Sequence, residues 1–534
     1  MWRQRIRRFS RLLLYASLAA LVASLSPAMA TTPRDKATLP AHPWLIEAAS
    51  QVPNRTTRVI IQATGDLDRV EATVRQLGGQ VSRAFPMINA FEAAIPAGAI
   101  PTLARHPDVR WITPDAPMVG SGRSTPPGRS PSTDPTDPII ISSGTVSTTS
   151  WLPISPYVQA IGAHQVWSAA NIRGQGVTVA VVDTGIAKHQ DIKSRIVARV
   201  NTNANSDSDS DAYGHGTHIA GIIAGDGSLS DGRYVGVAPE ANVIAVKAGD
   251  SHGYGTMADI LAALQWVYDH KDVYGIRVVN MSLSSTVPDS YLTNPLNAAV
   301  EVLWFSGIVI TVSAGNAGEA DIAYPPANDP FVITVGAADD RGTPDPSDDQ
   351  FASYSAYGIT PDGFAKPDLV APGTKIISLL SSSGSTLARE HPDHLVNSDP
   401  YFDMSGTSMA SAVTAGAAAL LLQAEPNLTP DQVKYRLMAT ARPFTGPEPG
   451  ATGAGYLDIY AAVHTPTTES ANTGLVPNQL LWPGDAPITW DSVNWGSVNW
   501  GSVNWGSVNW GSVNWGSVNW GSVNWGTMDI SKAR

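Results

Sequence analysis

The sequence predicts an α/β fold: a doubly wound, mostly parallel sheet with helices on both faces, preceded by a small ferredoxin-like α+β domain. Three observations predict it. Between residues 157 and 463, short apolar runs alternate with helically spaced apolar residues, as expected of parallel strands covered on both sides. Residues 56–115 carry a strand–helix–strand–strand–helix–strand order of their own. Between the two lies 116–150, rich in Ser, Thr, Pro and Gly, a composition that buries too little apolar surface to order itself.

Composition bounds the rest. A chain of 534 residues can hold one large core and smaller units besides. Its formal net charge of −12 argues against general binding to nucleic acid or to anionic membranes. Cysteine is absent, which excludes disulfides, thiolate catalysis and cysteine-zinc sites.

In chain order, residues 1–30 have the make-up of a signal peptide. Arg3, Arg5, Arg7, Arg8 and Arg11 start it, Leu12 to Leu25 is an apolar core too short to span a bilayer comfortably, and Ala28-Met29-Ala30 offers a cleavage site. The protein is expected to be secreted to the extracellular space; Arg7-Arg8 leaves the export route open. Residues 31–55 read as a short connector. In 56–115, strands are expected at Arg58–Ala63, Val81–Phe85, Ala90–Ile95 and Val109–Thr113. Leu67, Val70, Val74 and Leu77 mark a helix that Gly78-Gly79 stops, and Ile100–Arg105 a second one. The segment 116–150 is a linker and a cleavage zone.

From 151 to 463, strands are expected at Val177–Val182, Val243–Val246, Val278–Met281, Ile308–Val312 and Val332–Val335. Helices fall between them, as at Met257, Ile260, Leu261, Leu264 and Val267, and Thr429-Pro430-Asp431-Gln432 has the residues of a capping box. Residues 464–491 read as a second linker. Seven identical Ser-Val-Asn-Trp-Gly units fill 492–526, and 527–534 is a tail. A period of five matches neither helix nor strand. The repeats are expected to be a low-complexity tail, with a short solenoid or an aromatic array touching cell-surface polysaccharide as alternatives.

The polar residues with chemical potential gather where such a sheet binds ligands, beyond the carboxyl ends of its strands. Asp183 ends the first predicted strand, Ser282 follows the third, and Asn316 follows the fourth in Ser313-Ala314-Gly315-Asn316. His215 opens a helical run, Gly214-His215-Gly216-Thr217-His218. Ser408 stands in Asp403-Met404-Ser405-Gly406-Thr407-Ser408-Met409, small residues leading into an apolar helix whose start favours developing negative charge. Singly, each is more often a turn or cap residue. Together they supply an alcohol, a base, an acid and an amide.

Val181-Val182-Asp183-Thr184-Gly185-Ile186, His215-Gly216-Thr217-His218-Ile219-Ala220-Gly221 and Ser405-Gly406-Thr407-Ser408-Met409-Ala410-Ser411 resemble the three signature blocks of the subtilisin family of serine proteases, in that family's order. The resemblance covers about 155–463. It implies a subtilisin-like fold and a serine endopeptidase with Asp183, His215 and Ser408 as its triad and Asn316 in the oxyanion hole. It implies substrate-binding positions at Ser282, Leu283, Ser284, Gly253, Ala314 and Gly315, with protein or peptide as substrate. Residues 56–115 resemble the family's propeptide, so the chain's own propeptide is an expected intramolecular inhibitor, made as part of a zymogen and removed within 116–150. His218 is expected to be structural. No cofactor is required for the chemistry, but a structural calcium is expected to involve Asp191, which stands where relatives supply a carboxylate. Three positions depart from the family: Ala412 in place of proline, Ser284-Ser285 in place of a glycine pair, and the sequence of loop 226–235. The enzyme is expected to be a monomer. Two other functions fit less of the sequence: a catalytically retired fold that binds through its Trp-rich tail, and a processing protease with a single partner.

Overall fold

A computed structural model describes residues 39–120, 155–318, 322–396 and 400–481. The expected signal peptide, residues 121–150 of the linker, the repeats and residues 527–534 lie outside the described residues.

The expected connector 31–55 contains a helix, α1 (Pro43–Gln51). Proline at its start has no N–H to leave unpaired, His42 accepts from the Trp44 N–H, and Leu45 and Ala48 face inward. Strands β1 (Thr56–Ala63), β2 (Gln80–Phe85), β3 (Ala90–Pro96) and β4 (Val109–Pro114) follow. They form one antiparallel sheet in the order β2-β3-β1-β4. Helix α2 (Leu67–Gln76) lies between the first two, capped by Asp66 and burying Val70 and Val74 one turn apart. The second expected helix is a single turn, Ile100–Leu103.

Residues Pro117–Gly120, expected to be linker, form a strand, β5. The reason is not in their own composition. They pair on both sides with strands far along the chain.

The larger part is built on an eight-stranded sheet. Its strands are β6 (Thr178–Asp183), β7 (Ile196–Asn201), β8 (Asn242–Lys247), β10 (Ile276–Met281), β12 (Val309–Ser313), β13 (Ile333–Asp339), β14 (Gln350–Phe351) and β15 (Leu369–Pro372). The order is β14-β13-β12-β10-β6-β8-β7, with β15 also on β13. Only β14 runs antiparallel. Strands β7 and β15 were not expected from sequence: β7 is only partly buried and β15 is four residues long, so neither gives a long apolar run. Short strands β9 (Tyr254–Thr256) and β11 (Leu283–Ser285) stand apart from this sheet and flank β5.

Four helices matter for the site: α3 (His215–Ala224), α4 (Met257–Tyr274), α5 (Pro295–Phe305) and α6 (Thr407–Ala424). Helix α6 is buried along Thr407–Leu422 and packs on α3, β10, β12 and β13. Its small residues let strands approach, and its leucines fill the core; burial of each leucine contributes roughly 1.5–3 kcal/mol. The helix Pro430–Ala439 has the expected capping box, Thr429 with Gln432. Residues 464–481, expected to be linker, are instead docked: Asn478 is fully buried, its N–H donates to Glu301 Oε2 at 2.8 Å, and its amide reaches the carbonyls of Tyr291 and Asn294.

Candidate active site

Strands β6 and β10 are neighbours, and chain order reverses between them, since β8 lies on the other side of β6. That is where an open α/β sheet offers a crevice beyond its carboxyl ends. Asp183 closes β6 there, and Ser282 follows β10.

His215 is brought to Asp183 by two glycines. Gly214, ahead of α3, has φ +112, a conformation that side chains resist. At Gly216 a Cβ would lie 2.2 Å from the Gly185 carbonyl oxygen, so only glycine lets the first turn of α3 close on the end of β6. The result is a buried pair: His215 Nδ1 is 2.8 Å and 2.9 Å from the two oxygens of Asp183. His215 is 7% exposed and Asp183 5%. Burial of His215 works against its charged form, but the charge and hydrogen bond of Asp183, with a further contribution from Asp211, outweigh it and raise its pKa.

Ser408 is the second residue of α6 and is 3% exposed. Its Oγ donates a long hydrogen bond to the Ser282 carbonyl at 3.5 Å, and Ser282 Oγ donates to the Ser408 carbonyl at 3.1 Å. Among the described residues no hydrogen bond joins Ser408 to His215. Both nevertheless line one pocket, with Asn316, Tyr213, Gly253, Met404 and Gly120. Contacts of this kind are often loose without a substrate and tighten when one binds.

Asn316 is aimed by Thr407. The Thr407 N–H and hydroxyl each lie 2.9 Å from Asn316 Oδ1, which turns the amide nitrogen toward Gly406, where a Cβ would sit only 3.2 Å from Nδ2. Leu283 and Ser284 pair with Gly120 and Val119 of β5. From the opposite side, Tyr254 and Gly255 pair with Val119 and Met118. The chain's own strand thus lies between the segment that holds Leu283 and Ser284 and the segment that follows Gly253, both expected to bind substrate.

Ala314 and Gly315, which lead into Asn316, are held through their backbone. Their N–H groups go to the Val335 carbonyl and the Thr407 hydroxyl, so they brace Asn316 from behind. His218 is fully buried, with Nε2 3.0 Å from the carbonyls of Ile376 and Phe402; burial and the neighbouring His215 push it down to about 4, and it stays neutral.

The calcium expectation at Asp191 does not fit. This carboxylate is fully buried and satisfied by donors: Ser228 Oγ and the Leu229 N–H at 3.0 Å each on Oδ1, and the Tyr401 hydroxyl at 2.5 Å on Oδ2. A cation needs oxygens turned toward it, not hydrogens. Among the described residues no group of three or more His, Asp or Glu side chains is arranged to hold a metal.

Sequence reasoning missed Asn280 and Tyr213. Asn280, fully buried at the end of β10, donates to Ser282 Oγ and accepts from Ser411 Oγ and Thr311 Oγ1, tying α6 to β10 and β12. An inward-facing polar residue in an apolar run was the available signal.

Comparison with known proteins places the chain in a family. Residues 174–474 match the subtilase family, and residues 492–531 match pentapeptide repeats (8 copies). Serine protease AprX of Bacillus subtilis (strain 168) is 43% identical over 304 residues, covering 56% of this chain and 68% of AprX. Subtilisin DY of Bacillus licheniformis is 34% identical over 292 residues, covering 54% of this chain and 91% of that protein. The crystal structure of fervidolysin from Fervidobacterium pennivorans, a keratinolytic enzyme related to subtilisin, superposes with a TM-score of 0.60 at 26% identity. That match covers 79% of this chain and 62% of fervidolysin, under two thirds of its length.

Proposed function

The chain belongs to the subtilase family and is a serine-type endopeptidase; from that premise we propose that it is a secreted enzyme, made as a self-processed zymogen, whose Asp183, His215 and Ser408 form the triad. Ser408 Oγ attacks the scissile carbonyl carbon while its proton passes to His215 Nε2. The carbonyl becomes an oxyanion, stabilised by the Asn316 amide and the Ser408 N–H. The C–N bond then breaks, the imidazolium protonates the leaving amine, and an acyl-enzyme remains. Water repeats the cycle in reverse and frees the serine. Asp183 holds the tautomer that keeps Nε2 unprotonated and stabilises the transient imidazolium.

The observation that carries this is the buried His215–Asp183 pair, 2.8 Å apart, with His215 lining the same pocket as Ser408 and Asn316. The zymogen part draws support from β5, which follows the small domain and ends at Gly120 on the pocket wall. A segment paired on both sides in the peptide-binding cleft excludes a substrate, and the cut that releases it falls in 116–150. Export draws on residues 1–30.

Ser408→Ala tests the assignment. The variant is expected to accumulate as the full-length precursor and to leave casein intact. A purified Ser408→Ala protein that still digests casein contradicts it.

A further inference from the structure

A second buried carboxylate lies beside the His215–Asp183 pair, and the reaction above makes no use of it. Asp211 is 3% exposed. Its Oδ1 accepts from the Gly214 N–H at 2.7 Å and Thr184 Oγ1 at 2.9 Å; its Oδ2 accepts from the Thr217 N–H at 2.8 Å and Thr217 Oγ1 at 2.6 Å. Two of these partners, Gly214 and Thr217, bracket His215 in the first turn of α3. A third, Thr184, follows Asp183 directly. Four donors suit the ionised carboxylate, although burial, the largest influence, pushes its pKa up.

Thr184 links the two acids. Its Oγ1 lies 2.9 Å from Asp211 and 3.3 Å from Asp183, so its single hydrogen goes to Asp211, and its oxygen accepts from the Gly216 N–H at 3.0 Å. The Thr184 N–H goes to Asp183 Oδ1 at 2.8 Å. Thr184 therefore fixes the acid with its backbone and the helix start with its side chain. The titratable groups facing the imidazole are Asp183 from β6, Asp211 from the loop ahead of α3, and His218 one turn along, which is neutral. Lys247 on β8, whose Nζ donates to the Thr184 carbonyl at 2.7 Å, feels Asp211, Asp250, Asp183 and Asp209.

We propose that Asp211 is a positioning residue for the same reaction: it clamps the first turn of α3 and, through Thr184, the Asp183 carboxylate, and its negative charge assists Asp183 in favouring imidazolium. The proposal rests on His215 being the base. A loop carboxylate that only closed a turn would need no bridge to the catalytic acid, and would have no reason to be buried with three of its four donors on either side of the histidine.

The test uses the processed full-length enzyme and a chromogenic peptide anilide, with kcat and KM followed across pH. Asp211→Asn keeps the shape, removes the charge and sets an amide NH2 against two donors. Its kcat is expected to fall about tenfold to a hundredfold, the scale of a small misplacement of reacting groups. KM should change little, and the acid limb of kcat/KM should move to lower pH, because one of the charges that raises His215 is gone. Thr184→Val keeps the charge and breaks the bridge, so kcat should fall with the limb unmoved. Thr184→Ser restores the hydroxyl and should restore the rate. Wild-type kcat in Asp211→Asn, or a loss of kcat with an unmoved acid limb, overturns the proposal. If Asp211→Asn does not fold, equal rates in Thr184→Val and Thr184→Ser overturn it instead. Hydrolysis by Ser408→Ala would bring down the parent assignment, an outcome separate from all of these.

Discussion

His215 sits where burial and charge pull its protonation in opposite directions, and the two nearby carboxylates win. Because a base must be neutral to accept the serine proton, activity should fall off on the acid side at a higher pH than an unperturbed imidazole would give. Asn316 makes a second claim at this scale. Its oxygen is taken by Thr407, so its amide NH2 is committed to the pocket side. Asn316→Ala is expected to lower kcat about a hundred- to a thousandfold with KM nearly constant, a size known from subtilisin itself and carried over by kinship. Unchanged turnover on a peptide anilide would remove Asn316 from the oxyanion site. Asp183, His215, Asn316 and Ser408 could be picked out of the sequence together, because each sits in a short string of small residues at the end of a predicted strand or the start of a helix. Asp211 could not. It closes a run of alternating Ser and Asp whose other members, Asp207 and Asp209, are exposed, and only the tertiary fold separates them.

At the scale of elements, the N-terminus of α4 joins the small domain to the large one. Thr256 and Asp259 form a capping box there. Asp259 also takes Arg83 of β2 at 2.8 Å, while Asp115, just before β5, accepts from the Ala258 N–H at 2.9 Å. A carboxylate at a helix start is favourable, yet burial, the largest influence, pushes Asp115 up to about 6. A raised acid binds its proton more tightly in the docked form. Its contribution to docking is therefore present in full below the ordinary carboxylate pKa, near 4, and is lost as pH rises through about 6. Asp115→Asn keeps the acceptor and removes the titration. In the Ser408→Ala background, the unfolding free energy of the Asp115 precursor, from denaturant titrations, should decline relative to its Asp115→Asn counterpart between pH 4.5 and 7, by an amount on the order of 1–3 kcal/mol. Parallel curves would contradict this. Strand β5 itself was illegible from sequence because a four-residue segment with proline and glycine reads as linker. Its pairing comes wholly from β9 and β11.

At the scale of the whole molecule, the doubly wound sheet was readable from its buried strands, whose apolar runs report burial on both faces. The first and last described segments were not. Helix α1 and residues 464–481 looked like connectors, since neither carries a long apolar pattern. Asn478 shows what was missed: a polar residue is buried because Glu301, Tyr291, Asn294, Leu480 and Leu481 use all of its hydrogen-bonding groups. A pattern search for apolar residues passes over a segment that docks through amide chemistry. Through the same segment the large domain touches the small one, since Arg110 of β4 donates to the Leu480 carbonyl.

Everything assigned to the enzyme depends on Asp183, His215 and Ser408 acting as one unit, although Ser408 Oγ rests on the Ser282 carbonyl in this structure. Labelling with a fluorophosphonate, followed by mass mapping of the full chain, tests that dependence most directly. The expected result is a single adduct on Ser408, formed at a rate that drops as His215 is protonated and lost in His215→Ala. Labelling of Ser408 at an equal rate in His215→Ala, or an active wild-type enzyme with no adduct there, would contradict it.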